Sequence, residues 1–530
     1  MTRTFLGSAL SIIFLMQIAV AQSSASSPLP LDSEIRNILV DRIDKDHQSV
    51  GIVVGVIEPT GRRVVAYGNL AKEDKRSLDG DTVFEIGSVT KVFTSLLLAD
   101  MVQRGEVALT DPVTKYLPPE VKVPERGGRQ ITLQDLATHT SGLPRLPSNL
   151  ASKDPANPYA DYTVEQMYQF LSGYQLTRDI GSQYEYSNFG GGLLGHALAR
   201  RAGMDYEKLV ESRICEPLGM KSTAITLSPD MKARLAAGHN QGLEPVANWE
   251  LPTLAGAGAL RSTANDLLNF LAANLGYTKS SLAPAMAAML TVRRPTGMPN
   301  VEVALGWHIT THEGQETIWH NGGTGGYRAF IGFDPKRRIG VVALSNAETA
   351  AGVDDIGQHL LNASVPLYAP PKPHKEVAVD PKLFDGYVGR YELAPNFILT
   401  VTREGNRLFT QATGQSKLEV FPESDRDYFL KVVDAQITFE TDAQGKATGL
   451  VLHQNGRNVP AKRIEGEPTP PKEHKQISVD PKLFDGYVGR YELAANFILT
   501  VTREGNQLFV QATGQQNFEV FPESQKDFFY

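Results

Sequence analysis

Apolar residues Val50–Ile57 and the segment Arg63–Tyr67 flank the turn Pro59-Thr60-Gly61, a pattern that predicts a β-hairpin. From Ser88 onward the period changes, with Val92, Phe93, Leu96, Leu97 and Met101 recurring at helical spacing. Helical patterns also occupy 164–171, 189–201, 264–274 and 353–362, and strand patterns return at 301–310, 315–320, 327–333 and 338–345. Helices in the middle with strands at both ends predict one α+β domain, its sheet assembled from both ends around a helical insertion.

The tail reads differently. Phe397–Thr402 and Leu408–Ala412 are short β-type runs split by Glu404-Gly405-Asn406, and a second hairpin is expected over 435–440 and 448–452. Segment 371–430 recurs at 471–530 with 46 of 60 positions identical, so the tail holds two copies of one module. Evenly spaced strands with polar turns predict a small antiparallel barrel or sandwich. Proline-rich stretches precede both copies. The expected organisation is a hydrolase-sized domain over 30–366, a linker at 367–374, repeat 1 at 375–465, a linker at 466–474 and repeat 2 at 475–530. Repeat 2 lacks the counterpart of 435–452 and reads as truncated.

A length of 530 residues fits two to four domains. With 41% hydrophobic and 21% charged residues the chain can bury a real core, which excludes a disordered or collagen-like protein. Net charge is −7 and no long basic run occurs, so nucleic acid is not an expected partner. The single cysteine, Cys215, excludes an intrachain disulfide and a CxxC metal site. Met1-Thr2-Arg3, the apolar stretch Phe5–Val20 and Ala19-Val20-Ala21 read as a secretory signal peptide cleaved after Ala21. Ser11 and Gln17 interrupt that stretch, which is too short to span a bilayer comfortably. Stable membrane insertion is not expected, and the mature protein is expected to be periplasmic or secreted.

Three short motifs could carry chemistry. In Ser88-Val89-Thr90-Lys91, a serine at a helix start has a lysine one turn on, a base that could make it a nucleophile. Read alone, an isolated SxxK is far more often an N-cap serine followed by a surface lysine. In Tyr186-Ser187-Asn188, at the entry to an apolar helix, Tyr186 could act as general acid or base, since a lysine ammonium favours a phenolate. Asn188 could orient the lysine and bind a substrate amide. In His320-Asn321-Gly322-Gly323, at a strand end, glycines let substrate lie along the backbone and an N–H complete an oxyanion hole, while His320 could donate to a substrate carbonyl or carboxylate. No HExxH, EF-hand or dinucleotide fingerprint occurs, so neither metal nor cofactor is expected.

In the order SxxK, YxN, HxG, these motifs resemble the class C β-lactamase and penicillin-binding serine hydrolase family, which also holds D-aminopeptidases and β-lactamase-like esterases. Supporting phrases are Leu109–Val113, Asp135–Pro144, Pro217–Met220, Ser262–Leu267 and Leu305–Trp307, so the resemblance covers about 35–365. It implies a β-lactamase/transpeptidase-like fold, an antiparallel sheet flanked by helices with a helical subdomain, and it likens the tail repeats to lipocalin-like barrels. It further implies that Ser88 is the acylated nucleophile, Lys91 its proton partner and Tyr186 the base. Asn188 would hold the substrate amide, and the N–H groups of Ser88 and Gly323 would form the oxyanion hole beside Gly322. His320 stands where the family's β-lactamases carry the lysine of Lys-Thr-Gly, and Asn321 stands for the threonine. Histidine there is common among the family's peptidases and esterases.

The expected activity is hydrolysis of β-lactams or D-Ala-D-Ala-type peptide bonds through a Ser88 acyl-enzyme. A carboxylesterase is the alternative, and a non-catalytic penicillin-binding or sensor protein is the reading of a different class. The expected partner is a small-molecule or peptide substrate: a β-lactam, a cell-wall peptide or an ester. His139 and His308 read as structural, Glu85 as a packing residue at a strand end, and Asp354-Asp355 as acids favourably placed at a helix start.

Overall fold

In the computed structural model, Gly51–Glu58 (β1) lies inside an antiparallel sheet of eight strands. The others are Gly61–Gly68 (β2), Arg294–Pro295 (β3), Val301–Val303 (β4), His308–His312 (β5), Gln315–Gly323 (β6), Arg328–Asp334 (β7) and Ile339–Ser345 (β8), in the order β2-β1-β8-β7-β6-β5-β4-β3. The structure describes residues 29–370, 374–465 and 477–529, apart from Lys75 and the positions 395–396, 414, 416, 432, 434, 455–456, 478, 495–496, 506, 513–516 and 525. The expected signal peptide and the second linker lie outside these residues. The chain divides into two compact units, Met1–Ala369 and Pro370–Tyr530.

Both faces of the sheet are covered, which explains why β1 is apolar at nearly every position. Val53 and Ile57 join the large core beneath the helices, and Ile52, Val54 and Val56 join a smaller core with Ile35, Leu39, Ile356 and Leu360. The second core is closed by the helices Asp32–Val40 (α1) and, at the other end of the unit, Asp354–Leu361, so both ends of the unit build one sheet.

Between β2 and β3 runs the helical part. Val83–Glu85 pairs with Arg261–Thr263 and leads through the single 3-10 turn Gly87–Val89 into helix Thr90–Gln103 (α2). Residues 90–101 of α2 are all buried, so it is a central helix and not an amphipathic surface one. Helices Asn188–Ala202 (α3), Ala255–Gly258 (α4) and Ala264–Asn274 (α5) are packed with it in the large core.

The expected strand over 301–310 is two strands. Ala304–Trp307 leaves the sheet because Gly306 adopts φ +71 and turns against α2, where a Cβ would lie 2.8 Å from the Lys91 carbonyl oxygen.

In the second unit, eight strands from Gly389–Ala394 to Arg457–Ile464 form a closed antiparallel barrel. Its interior is filled by aromatic rings. Tyr387 stacks on Phe439 at 4.3 Å between centroids, with Tyr391 and Tyr428 against the same ring. The Tyr387 and Tyr391 hydroxyls donate to the carbonyl oxygens of Asp425 and Tyr387. Repeat 2 contributes five strands in the matching register, Gly489 opposite Val501 as Gly389 is opposite Val401. Tyr391 is fully buried, whereas its counterpart Tyr491 is 44% exposed.

Candidate active site

The turn Gly87–Val89 holds Ser88 against the end of β6. Gly87 has φ +47, and a Cβ on it would lie 2.7 Å from the Gly323 carbonyl oxygen and 2.8 Å from the Gly323 nitrogen. From the other side, a Cβ on Gly322 would lie 2.0 Å from the Ile86 carbonyl oxygen and 3.0 Å from the Ser88 nitrogen. Two glycines at two backbones in contact bring the Ser88 and Gly323 amides to one place, the arrangement that could stabilise an oxyanion.

Lys91 is buried one turn below Ser88. Its Nζ lies 3.0 Å from Ser88 Oγ, 2.8 Å from Asn188 Oδ1 and 2.7 Å from the Ala257 carbonyl oxygen. Burial, and then the charge of Arg145, hold its pKa well below the ordinary 10.5. Two of its three neighbours only accept hydrogen bonds. A neutral amine has two N–H groups for those two and one lone pair left for the serine hydroxyl.

Glycines of α3 make this burial feasible. A Cβ on Gly191 would lie 3.1 Å from Lys91 Cε, one on Gly192 2.6 Å from Leu254 Cδ2, and one on Gly195 2.8 Å from the Gly256 Cα. Glycine weakens a helix interior by up to about 1 kcal/mol relative to alanine, so this run signals close packing rather than helix propensity. Thr94 Oγ1 donates to the Gly256 carbonyl at 2.7 Å and so ties α4, with its Ala257 acceptor, to α2.

Tyr186 lies on the other side of the lysine, with Lys91 Nζ 4.8 Å from its ring centroid and the Arg145 guanidinium carbon at 5.2 Å. The expectation that the lysine charge favours a phenolate is corrected here. Burial, only partly offset by a hydrogen bond with Ser88, pushes the Tyr186 pKa above 10, so the phenol stays protonated. His139, expected to be structural, sets this residue's position. Its φ is +57, its carbonyl accepts from Glu185 N at 2.8 Å, its Nδ1 accepts from Ser187 N at 3.1 Å, and its ring lies 4.5 Å from that of Tyr186. Asn188 opens α3, and its N–H donates to the Arg145 carbonyl at 3.0 Å.

The period-two alternation of β6 decides what faces the serine. His320 and Gly322 point to it, whereas Trp319 and Asn321 point to the opposite face. The Asn321 amide donates to Asp354 at the start of the Asp354–Leu361 helix, so Asn321 does not occupy the threonine's place in the site. His320 is buried, its Nδ1 is 2.5 Å from the Asn321 carbonyl oxygen, and its buried Nε2 has no partner. A carbonyl oxygen only accepts, so Nδ1 carries the hydrogen and Nε2 offers a lone pair. Burial, then the neighbouring His308 and Lys91, keep this ring neutral. His308, also expected to be structural, lies 5.2 Å from His320 and is 3.0 Å from the Tyr184 hydroxyl. Burial lowers its pKa to about 4.

Glu85 accepts from Arg261 and from Trp249 N, each at 3.0 Å, beneath the Ser88 turn. Burial raises the Asp354 pKa from 3.8 to about 6, the Asn321 hydrogen bond offsetting part of the effect. Between these values the folded protein keeps a proton that the unfolded chain has released, so Asp354 makes stability fall as pH rises from 3.8 to about 6. Asp354→Asn removes that contribution while retaining an acceptor for Asn321. Thermal melts across pH 3.5–7 are expected to show a shallower fall for the variant, and identical slopes would refute the assignment.

Among the described residues, no group of three or more His, Cys, Asp or Glu side chains could hold a metal ion, and no helix is long and apolar enough to cross a membrane.

The sequence profile of the Beta-lactamase family matches residues 37–363, and that of a domain of unknown function (DUF3471) matches 373–467 and again 473–530. The D-alanyl-D-alanine-carboxypeptidase/endopeptidase AmpH of Escherichia coli K12 is 34% identical over 323 residues, which is 58% of this chain and 82% of that protein. A penicillin-binding protein of Bacillus subtilis is 26% identical across 81% of this chain and 98% of its own length. The crystal structure of a β-lactamase/D-alanine carboxypeptidase from Yersinia pestis, complexed with citrate, superposes with a TM-score of 0.56 at 26% identity. It covers 63% of this chain and 98% of that one.

Proposed function

Since the chain belongs to the Beta-lactamase family of serine hydrolases, we propose that its 30–366 domain hydrolyses β-lactams or D-Ala-D-Ala-type amide bonds through an acyl-enzyme on Ser88. The observation that carries this reading is the buried Lys91 Nζ, 3.0 Å from Ser88 Oγ and bonded to Asn188 and Ala257, a set of neighbours that leaves a neutral amine one lone pair for the serine hydroxyl.

As Ser88 Oγ attacks the carbonyl carbon, its proton passes to Lys91 Nζ. The negative charge forming on the carbonyl oxygen takes hydrogen bonds from the Ser88 and Gly323 N–H groups. When the bond to the leaving nitrogen breaks, the protonated Tyr186 hydroxyl gives that nitrogen a proton, and the Lys91 ammonium restores it. Water then attacks the Ser88 ester, giving one proton to this same relay, and Ser88 leaves as the free hydroxyl. This assigns the base to Lys91 and the acid to Tyr186, a division that follows from a lysine pKa pushed down and a tyrosine pKa pushed up. Asn188 and Gly322 flank the substrate, and the His320 lone pair accepts from a substrate N–H or O–H.

The neutral His320 ring and the averted Asn321 leave the strand wall without a cation, which favours carboxylic esters as a second reading. The joint presence of Ser88, Lys91, Tyr186 and a preformed pair of amides argues against a non-catalytic binder. The proposed location is the periplasm or the exterior.

Intact-mass spectrometry of the mature protein with benzylpenicillin tests the function. A long-lived adduct on Ser88 marks a penicillin-binding peptidase, and a transient one with loss of the drug marks a β-lactamase. No adduct on folded protein leaves the esterase. Where acylation occurs, its rate is expected to rise with pH and level off well below the ordinary lysine value of 10.5 as Lys91 loses its proton. A rate still climbing past pH 10 would return the base role to Tyr186.

A further inference from the structure

We infer that Arg145 is the anchor for a carboxylate on the leaving group of the substrate; this rests on the hydrolase reading above and names the substrate feature it selects. An enzyme that recognises a carboxylate beside the scissile bond needs a cation or several donors there, and the strand that lines the site supplies neither. His320 is neutral, with its hydrogen committed to its own chain and a lone pair toward the site, a group that repels an anion. Asn321 has spent its amide on Asp354, across the sheet.

The opposite wall has what the strand lacks. Arg145 is exposed, follows the His139–Pro144 loop, and lays its guanidinium over the Tyr186 ring at 5.2 Å. Its backbone is pinned, because its carbonyl accepts from Asn188 N at 3.0 Å and Phe189 N at 3.1 Å at the start of α3. Guanidinium and tyrosine hydroxyl therefore address the same part of a bound substrate. Tyr186 is the group that protonates the leaving nitrogen or oxygen, so an anion held over its ring belongs to the leaving portion and not to the acyl portion.

The neighbouring arginines are already neutralised. Arg178 pairs with Glu185, Arg328 with Glu348 at 2.6 Å, and Arg261 with Glu85 at 3.0 Å. Among the described residues no carboxylate pairs with Arg145. Its charge nonetheless reaches the chemistry, since it acts on Lys91, His139, Tyr159, Tyr184 and Tyr186 alike. A planar, bidentate donor of fixed charge at this point is matched to a carboxylate. Carboxylate recognition has moved from the strand to the loop that precedes the tyrosine motif.

A pair of esters differing only in the leaving group tests this: phenyl acetate and 3-carboxyphenyl acetate. The ratio of kcat/KM for the charged over the neutral ester is the readout, because a general loss of structure lowers both terms and leaves the ratio unmoved. The wild-type protein is expected to favour the charged ester. Arg145→Ala is expected to lower the ratio roughly 10- to 100-fold, mainly through KM, the worth of one charge-assisted bidentate contact. Arg145→Lys is expected to restore part of it, as a point charge without the fork. A wild-type ratio near one, or an unchanged ratio in Arg145→Ala, overturns the anchor while the serine chemistry stands. Turnover that survives Ser88→Ala overturns the hydrolase reading, and the anchor with it.

Discussion

Ser88→Ala is expected to lower kcat/KM by about 10⁴-fold or more on any substrate the protein hydrolyses, and to abolish the benzylpenicillin adduct. The nucleophile is the one member of the site without a substitute. If Lys91 is lost, water can still accept a proton slowly. If Ser88 is lost, no covalent bond to the acyl group can form at that position. Folding is expected to survive the change. Lys91 Nζ keeps its hydrogen bonds to Asn188 Oδ1 and the Ala257 carbonyl, and the truncation removes a single hydroxyl. A melting temperature within a few degrees of wild type, together with lost turnover, is the expected pair of results. Turnover within tenfold of wild type would sink every acyl-enzyme route drawn here.

Gly322→Ala is expected to have the next largest effect, through geometry alone. The added methyl would fall 2.0 Å from the Ile86 carbonyl oxygen and 3.0 Å from the Ser88 nitrogen. Both neighbours are backbone, so no side chain can swing aside, and strand β6 must retreat from the Ser88 turn. That separates the Gly323 N–H from the Ser88 N–H and loses much of the oxyanion stabilisation. We expect kcat to drop by about 10²- to 10³-fold and stability to fall by about 1–3 kcal/mol. Gly173→Ala is the contrast, since a Cβ there meets nothing within 4 Å, and it is expected to leave both quantities near wild type. If the two variants behave alike, the two glycine backbones are not what defines the site.

Much of this was legible along the chain. The hairpin of β1 and β2, helix α2 and the strands over 315–345 follow from periodicity, because their burial is regular and local. The barrel strands of repeat 1 follow for the same reason. Less legible were the elements that owe their conformation to distant partners. The short helix α4 exists where Thr90, Lys91 and Thr94 of α2 bind the 256–260 backbone, so its signal is spread over two segments. The departure of Ala304–Trp307 from the sheet depends on the Gly306 contact with α2.

The candidate residues divide in the same way. Ser88, Lys91, Tyr186, Asn188, His320, Gly322 and Gly323 could be named from three motifs, because a nucleophile, a base and a glycine-lined strand end each leave a local mark. Their protonation could not. A lysine ammonium beside a phenolate is the natural reading of Lys91 and Tyr186 as a pair in water. Burial of both reverses it, because a low-dielectric interior disfavours every charge it does not pair. Outside the three motifs, His139 and Arg145 enter the site because loops 139–145 and 184–188 are hydrogen-bonded together, and His308 enters it from β5, beside Tyr184 and His320.

The sequence by itself determined which chemistry is available, an α+β hydrolase domain with a Ser–Lys pair followed by repeated β modules, since residue types and their spacing are properties of the chain. Tertiary structure decided which groups are charged, which face of β6 meets the serine and which wall can hold an anion. Those depend on burial, and burial exists only once segments far apart in the chain have closed around one another.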